Sequence, residues 1–161
     1  MIALLLATAL VAAQAPANFS GEWVADPPAE KAPGDMGSGW GATFTIAQDA
    51  RQLVVEQPLF SRYDLQPPVK TVYALDGSES RNDVMTGHAT QLRISRARWE
   101  GSGLQIVTMY PATDPKTGKP FTTEVTQRLI LESPGVMVIE STRAGVLGGK
   151  PTTAKTIYRK K

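Results

Sequence analysis

The chain contains no cysteine and only one histidine, His88, among its 161 residues. The lack of cysteine excludes disulfides, thiolate metal sites, cysteine nucleophiles and a lipid anchor attached through cysteine. One histidine cannot supply a site that needs several imidazole ligands, and its surroundings, Met85 to His88, are typical of a solvated hairpin loop. No G-x-S-x-G motif marks a serine-hydrolase elbow. We therefore expect no metal, no cofactor and no recognisable catalytic set.

The sequence also has no large excess of charge of either sign. The 17 basic and 15 acidic side chains leave a formal net charge of +2, and the only basic run is 159–161, at the end of the sequence. Binding to nucleic acid needs a clustered basic footprint. The sequence therefore predicts no nucleic-acid partner.

Long apolar runs are missing except at the beginning. Residues 1–15, MIALLLATALVAAQA, have the apolar core and small-residue cleavage region of a secretory signal peptide. The apolar stretch is too short to span a bilayer as a helix, so we expect no membrane span. Cleavage after Ala13 is preferred, since cleavage after Ala15 would leave Pro16 beside the cut. We expect an exported protein, periplasmic or extracellular, with a single domain over residues 14–161.

Helical periodicity is missing as well, because hydrophobic residues after residue 18 recur at every second position. β-branched and aromatic residues fill these runs, and short turn signals such as Asp76-Gly77 and Ser133-Pro134-Gly135 separate them. We expect an all-β fold, an antiparallel up-and-down meander of eight to ten strands closing into a calycin-like barrel. The clearest runs are 19–23, 43–46, 52–56, 69–75, 90–99, 104–110, 125–131, 136–142 and 153–160.

Three segments rich in glycine and proline interrupt this alternation: 25–41, 111–120 and 144–151. In a closed barrel, long loops commonly gather at one mouth, where they act as lids or remain surface loops. The first segment carries Trp40. If Trp40 is exposed, its position among glycines suggests that it contacts a binding partner. If Trp40 instead folds back over the barrel mouth, no partner is needed to explain it.

The strand over residues 90–99 raises a question about its arginines. Side chains alternate between the two faces of a strand. If Ala97 and Trp99 point inward, Arg93 also points inward. If Leu92 points inward instead, Arg96 and Arg98 point inward with it. A bulge near Ser95 would switch faces and leave every arginine outside. An arginine inside the barrel needs a partner, which an acidic ligand head group can provide. The candidates for a ligand cavity are Phe44, Tyr73, Arg93, Arg96, Arg98, Trp99, Tyr110, Gln127 and Tyr158.

Phe19-x-Gly21-x-Trp23 resembles the G-x-W signature of the lipocalins, within the calycin superfamily. The resemblance implies that Trp23 closes the barrel floor and that a basic residue of the last strand, Arg159 or Lys160, packs across it. Fatty-acid-binding proteins, also calycins, end with an Arg-x-Tyr pair that binds the ligand carboxylate. The matching positions here are Thr156 and Tyr158, so that arginine is missing.

The chain is also similar to small exported bacterial proteins of unassigned function. This similarity covers most of the chain after the signal peptide, and it implies no activity. The segments that carry it are YALDGSESRN (73–82), SRARWEG (95–101), TQRLILES (126–133), ESTRAG (140–145) and the ending TIYRK.

Three functions follow as expectations. The first is an exported lipocalin-like protein that binds a small apolar or amphipathic molecule. The second is an envelope structural or interaction protein with a filled barrel, acting through the loops around Trp40. The third is an isomerase-type or haem-binding calycin, which the single histidine and the lack of a catalytic set disfavour. The sequence does not determine the ligand or the oligomeric state.

Overall fold

The structure, a computed structural model, describes residues 16–26, 37–60, 65–86, 89–146 and 149–161. The expected signal peptide and both expected cleavage sites, together with His88, lie outside the described residues. Within the described ranges there is no helix, and therefore none long and apolar enough to cross a membrane. The strands are β1 (Gly21–Ala25), β2 (Thr43–Gln48), β3 (Gln52–Phe60), β4 (Leu65–Ala74), β5 (Glu79–Thr86), β6 (Ala89–Glu100), β7 (Gly103–Thr113), β8 (Pro120–Ser133), β9 (Val136–Arg143) and β10 (Thr152–Lys160).

All ten strands belong to one antiparallel sheet in the order β4-β3-β2-β1-β10-β9-β8-β7-β6-β5. Every ladder joins strands that are consecutive in sequence except that of β1 with β10, which brings the two ends of the meander together. The predicted all-β, up-and-down meander is confirmed. The sheet forms a nearly closed barrel, an architecture compatible with the calycin-like fold.

Closure is completed by side chains where β4 meets β5. No backbone ladder joins these two strands among the described residues, although they lie next to each other. Asn82 on β5 accepts a hydrogen bond from the Val72 N–H at 2.8 Å and donates one to the Val72 carbonyl at 2.9 Å. Ser80 Oγ accepts another from the Ala74 N–H at 2.7 Å. We call this junction the seam; its side chains satisfy backbone groups that would otherwise lack partners.

The antiparallel order separates the connections into two sets, one at each end of the barrel. Short turns over 49–51, 75–78, 101–102 and 134–135 lie at the end that we call the floor. The described parts of the glycine- and proline-rich segments lie at the opposite end, the mouth, as expected for odd-numbered connections in a meander. The loop predicted over 111–120 is shorter, 114–119, because Asp114 accepts hydrogen bonds from Lys116 and Thr117 that form a tight turn.

The ladders of β6 decide which of its faces points inward. Pairing with β5 and with β7 continues without a register shift, so the bulge considered near Ser95 is absent and the alternation is unbroken. Ser95 and Ala97 are buried, whereas Arg96 and Arg98 are exposed. The inner face of β6 therefore carries Arg93 at its mouth end.

Candidate functional site

The barrel interior changes from apolar at the floor to polar at the mouth. Residues directly opposite each other on neighbouring strands share a face, so the ladders of β6 to β9 define layers of inward side chains. The floor layer is hydrophobic, the middle layer introduces an amide and a hydroxyl, and the next layer adds two hydroxyls and a guanidinium. From floor to mouth, the layers are Trp99–Leu104–Leu129–Ile139, Ala97–Ile106–Gln127–Ser141 and Ser95–Thr108–Val125–Arg143.

Trp23 is fully buried at the floor, and its indole N–H donates a 2.8 Å hydrogen bond to the Phe19 carbonyl. Phe19 in turn stacks on Trp99, with ring centres 6.1 Å apart and planes 11° from parallel. Trp99, a cavity candidate, therefore contributes to the floor. These contacts fill the closed end with aromatic rings.

Lys160 is the basic residue that lies across Trp23, with its Nζ 5.9 Å from the ring centre. Its side chain passes over Gly21, whose φ of +145° disfavours other residues and whose absent Cβ would overlap Lys160 Cε. Arg159, the other residue considered for this position, pairs with Asp26 at 2.7 Å. The positive φ at this position is therefore the main reason for the glycine of the G-x-W pattern, and the path of Lys160 adds to it.

Residues 37–42, which we call the plug, dock against the interior side chains of the mouth. Gly37, Gly39 and Gly41 all have positive φ values, so this turn depends on glycine. Ser38 and Trp40 between them are 2% and 3% exposed. The expectation of a loop is correct here, and two of its side chains, Ser38 and Trp40, are buried in the interior.

Tyr158 holds the plug through a chain of hydrogen bonds. Its hydroxyl donates to the Gly41 carbonyl at 2.8 Å. Because a phenol has one proton, the 2.5 Å contact with Ser38 must be donated by Ser38 Oγ. Ser38 Oγ also accepts from the Trp40 backbone N–H at 3.1 Å. Tyr158, a cavity candidate, is therefore an anchor for the plug.

Gln127 contributes a second anchor with one atom left over. Its Nε2 donates a 2.5 Å hydrogen bond to the Ser38 carbonyl. Its Oε1 is buried without a hydrogen-bond partner among the described residues. An unpaired buried acceptor is costly, so Gln127 presents a polar group that a bound donor would satisfy.

The Trp40 ring occupies the interior between two predicted cavity residues. It makes an edge-on contact with Phe44, ring centres 5.1 Å apart, and a tilted contact with Tyr73 at 6.2 Å. Phe44 also contacts Tyr158 edge-on, at 4.8 Å. The indole therefore fills a space walled by aromatic side chains.

A cavity of about 10 Å³ remains beside Trp40 on the mouth side. That volume accommodates about one water molecule. Hydroxyl, amide and guanidinium groups dominate its walls, which include the paired hydroxyls of Ser95 and Thr108 at 2.9 Å. It is lined by Gly39, Trp40, Gln57, Thr71, Tyr73, Arg93, Ser95, Thr108 and Tyr110.

Burial raises the pKa of the Tyr73 phenol, and the neighbouring Tyr110 acts in the same direction. A hydrogen bond with Trp40 and the positive charge of Arg93 only partly offset this effect on the pKa. Burial also raises the pKa of Tyr158, against a smaller opposite effect of its bond with Ser38. Both phenols therefore remain neutral hydrogen-bond donors at physiological pH.

Two arginines converge on Tyr110 at the mouth. The Arg93 guanidinium carbon lies 4.6 Å from the Tyr110 ring centre, and that of Arg143 lies at 5.9 Å. Arg93 and Tyr110 are among the cavity residues predicted from the sequence, whereas Arg143 is not. The signal was present, since continuing the inward alternation Met137, Ile139 and Ser141 by one step leads to Arg143.

Arg96 and Arg98, which were also proposed for the cavity, lie instead on the outer face of β6. Arg96 pairs with Glu79 at 3.3 Å and Arg98 with Glu100 at 2.9 Å. The unbroken ladder explains this placement, because alternate residues of a strand point to opposite faces. Ser38 was not singled out from the sequence, since a serine between glycines carries no pattern.

Among the described residues, no group of three His, Asp or Glu side chains is placed to hold a metal ion. Comparisons of the chain with models of known families, with curated proteins and with solved structures give no match. The function therefore has to be inferred from the interior and its plug.

Proposed function

We propose that this chain is an exported, calycin-like protein that binds a small amphipathic molecule in the space now filled by Trp40. The observation that carries the proposal is the position of the Trp40 ring, which enters the interior from a connection rather than from a strand. A side chain supplied by a connection can be withdrawn while the ladders remain intact. A ring of about the size of indole would take its place.

The polarity gradient of the interior supports an amphipathic ligand. Small-molecule sites are mostly apolar with a few well-placed polar groups. Here Phe44 would contact the apolar part. Withdrawal of Trp40 would free the Tyr73 hydroxyl from its hydrogen bond with Trp40, and Gln127 Oε1 already lacks a partner among the described residues. A core that served stability alone would gain nothing from an unpaired buried amide oxygen.

Release of the plug breaks few hydrogen bonds. The hydrogen bonds that Tyr158 and Gln127 make to it are neutral, and each contributes about 1 kcal/mol net. The ligand would also replace the contacts that Trp40 makes with Phe44 and Tyr73. Because the open form is a minor population, the apparent affinity of the wild type is lower than that of a variant without the indole.

The second candidate function is an interaction protein with a filled barrel that acts through its mouth loops. The observation that favours it is the small cavity beside Trp40, whose volume of about 10 Å³ among the described residues holds only water while the plug is in place. Movement of Trp40 on binding therefore separates the two functions.

The test follows Trp40 directly in the full protein after export. 5-Fluorotryptophan labelling gives one ¹⁹F resonance for each of the 3 tryptophans, assigned with single Trp→Phe variants. Titration with the neutral fluorescent probe N-phenyl-1-naphthylamine should increase probe fluorescence and shift the Trp40 resonance toward its solvent-exposed position. The resonances of Trp23 and Trp99 at the floor should shift much less.

Trp40→Ala should bind the same probe at least tenfold more tightly than the wild type, because the probe no longer has to displace the Trp40 ring from the site. Leu104→Ala is the matched control, since it shortens a fully buried side chain of the floor layer, away from the plug; its probe affinity should stay near that of the wild type. Probe binding that leaves the Trp40 resonance unmoved would contradict the proposal. No binding to the wild type or to Trp40→Ala would contradict it too, and would favour the filled-barrel function.

Export is proposed from residues 1–13 alone. Expression of the whole chain in a Gram-negative host, followed by fractionation and N-terminal sequencing, tests it. We expect processed protein beginning at Gln14 outside the cytoplasm. Unprocessed protein retained in the cytoplasm would contradict the proposed export.

A further inference from the structure

The two arginines at the mouth have no carboxylate partner in the described part of the chain. The ion pairs found there involve Lys70, Arg81, Arg96, Arg98, Lys155, Arg159 and Lys161, but neither Arg93 nor Arg143. Among the described residues, the Arg93 guanidinium makes a long, 3.4 Å hydrogen bond to Gln91 Oε1 and its ring contact with Tyr110. Both arginines are half-buried.

Half-buried guanidinium groups without a carboxylate partner favour the binding of an anion. Partial burial weakens solvent screening, and the planar fork of arginine matches a carboxylate with two parallel hydrogen bonds. Tyr110 lies against both guanidinium groups, 4.6 Å from Arg93 and 5.9 Å from Arg143, so the two positive charges converge on one ring. Their mutual repulsion falls when an anion binds between them.

Neutral hydroxyl donors lie beside the arginines. Thr108 and Ser95 line the same small cavity as Arg93, and so does Tyr73, whose pKa is raised. Trp40 lines it too, which places the ring site and the guanidinium in one continuous space. A molecule whose ring replaces Trp40 would therefore direct a polar substituent toward Arg93.

We propose that Arg93 and Arg143 form the head-group site of the ligand and that the head group is a carboxylate. The inference rests on the proposed function and narrows its ligand class to amphipathic carboxylates with a ring-sized apolar part. It assigns the site to β6 and β9. The Arg-x-Tyr positions of β10 are Thr156 and Tyr158, and Tyr158 is already bonded to the plug.

The test compares 2-naphthoate with 2-naphthol, which share a ring system and differ in the carboxylate. Isothermal titration calorimetry with the exported protein should show naphthoate binding at least tenfold more tightly, as expected for hydrogen bonds to a charged group. Added salt should weaken the binding of naphthoate and leave that of naphthol unchanged.

Variants locate the effect. Arg93→Gln and Arg143→Gln should each reduce naphthoate affinity about tenfold and leave naphthol affinity within about twofold. Arg93→Lys should recover part of the loss, since it keeps the charge without the fork. Arg96→Gln is the matched control, because it removes a guanidinium from the outer face of the same strand.

The outcomes separate this inference from the proposed function. Equal affinity of the wild type for the two naphthalenes would overturn the carboxylate site, even if one variant failed to fold. A loss of both ligands in Arg93→Gln and Arg143→Gln alike would also overturn it, because the arginines would then serve the barrel and not the head group. If N-phenyl-1-naphthylamine leaves Trp40 unmoved, the proposed function fails first and this inference with it.

Discussion

Tyr158 donates a hydrogen bond to the carbonyl of Gly41, a residue 117 positions earlier in the sequence. This contact ties the last strand to the segment that enters the barrel from its first long connection. It makes the plug part of the folded interior, although its composition is that of a loop. The stability of the mouth and access to the interior therefore depend on the same hydroxyl.

Tyr158→Phe should loosen the plug without emptying the core. The change leaves the Gly41 carbonyl and Ser38 Oγ without their partner, which we expect to lower the free energy of unfolding by about 1–3 kcal/mol. Urea unfolding measures that loss, and the ¹⁹F resonance of Trp40 should broaden or shift. Thr153→Val, which removes an exposed hydroxyl from the same strand, is the control and should do neither. An unchanged Trp40 resonance in Tyr158→Phe would show that Tyr158 does not hold the plug.

Asn82→Ala should open the seam. The Val72 N–H and carbonyl would both lose their partner, so we expect destabilisation by about 2–4 kcal/mol from two backbone groups. Hydrogen exchange should accelerate at the Val72 amide far more than at amides in the β7–β8 ladder. Asp83→Ala, at the neighbouring exposed position of β5, provides the comparison. Equal exchange of Val72 in the two variants would refute the role given to Asn82.

Gly21→Ala should destabilise the protein although it adds a single methyl group. The new Cβ would overlap Lys160 Cε, and the φ of +145° would be strained, at a cost of about 1–3 kcal/mol. Adding Lys160→Ala to the Gly21→Ala variant should restore only the part of the lost stability that comes from the overlap with Lys160. Gly135→Ala, where nothing lies within 4 Å, should be close to neutral in urea unfolding. A Gly21→Ala variant as stable as Gly135→Ala would contradict this explanation of the glycine.

Alkaline pH should destabilise the fold through its buried phenols. Burial raises the pKa of Tyr73 and of Tyr158 in the folded state. The unfolded chain therefore releases these protons first, and stability present below about pH 10 is lost as the pH rises further. Urea unfolding from about pH 8 to about pH 11 should show this decline, with tyrosinate absorbance appearing together with unfolding. In the double variant Tyr73→Phe/Tyr158→Phe, the free energy of unfolding should depend less on pH over this range. An unchanged pH dependence would show that other groups cause it.

The alternation of hydrophobic and polar residues along the chain was sufficient to predict the meander. Each strand has one face inside the barrel, and hydrophobic residues occupy that face. The alternation was insufficient for the strand that contains Arg93, where both faces carry polar residues. The inner face there depends on an unbroken pairing with β5 and β7, which no local pattern reveals. Local pattern also predicted the loop around Trp40 but left open whether Trp40 is exposed or folded back over the mouth. Hydrogen bonds between residues 117 positions apart leave no trace in neighbouring sequence.

The pairing of β1 with β10 has a consequence for how the chain folds. Each other ladder joins strands that are consecutive in sequence and can form as a local hairpin. This ladder brings together residues such as Glu22 and Lys161, 139 positions apart. Closing a loop of that length costs about 4 kcal/mol in chain entropy, before the contacts at Trp23 offset it. We therefore expect the meander to assemble first and the joining of its first and last strands to set the folding rate.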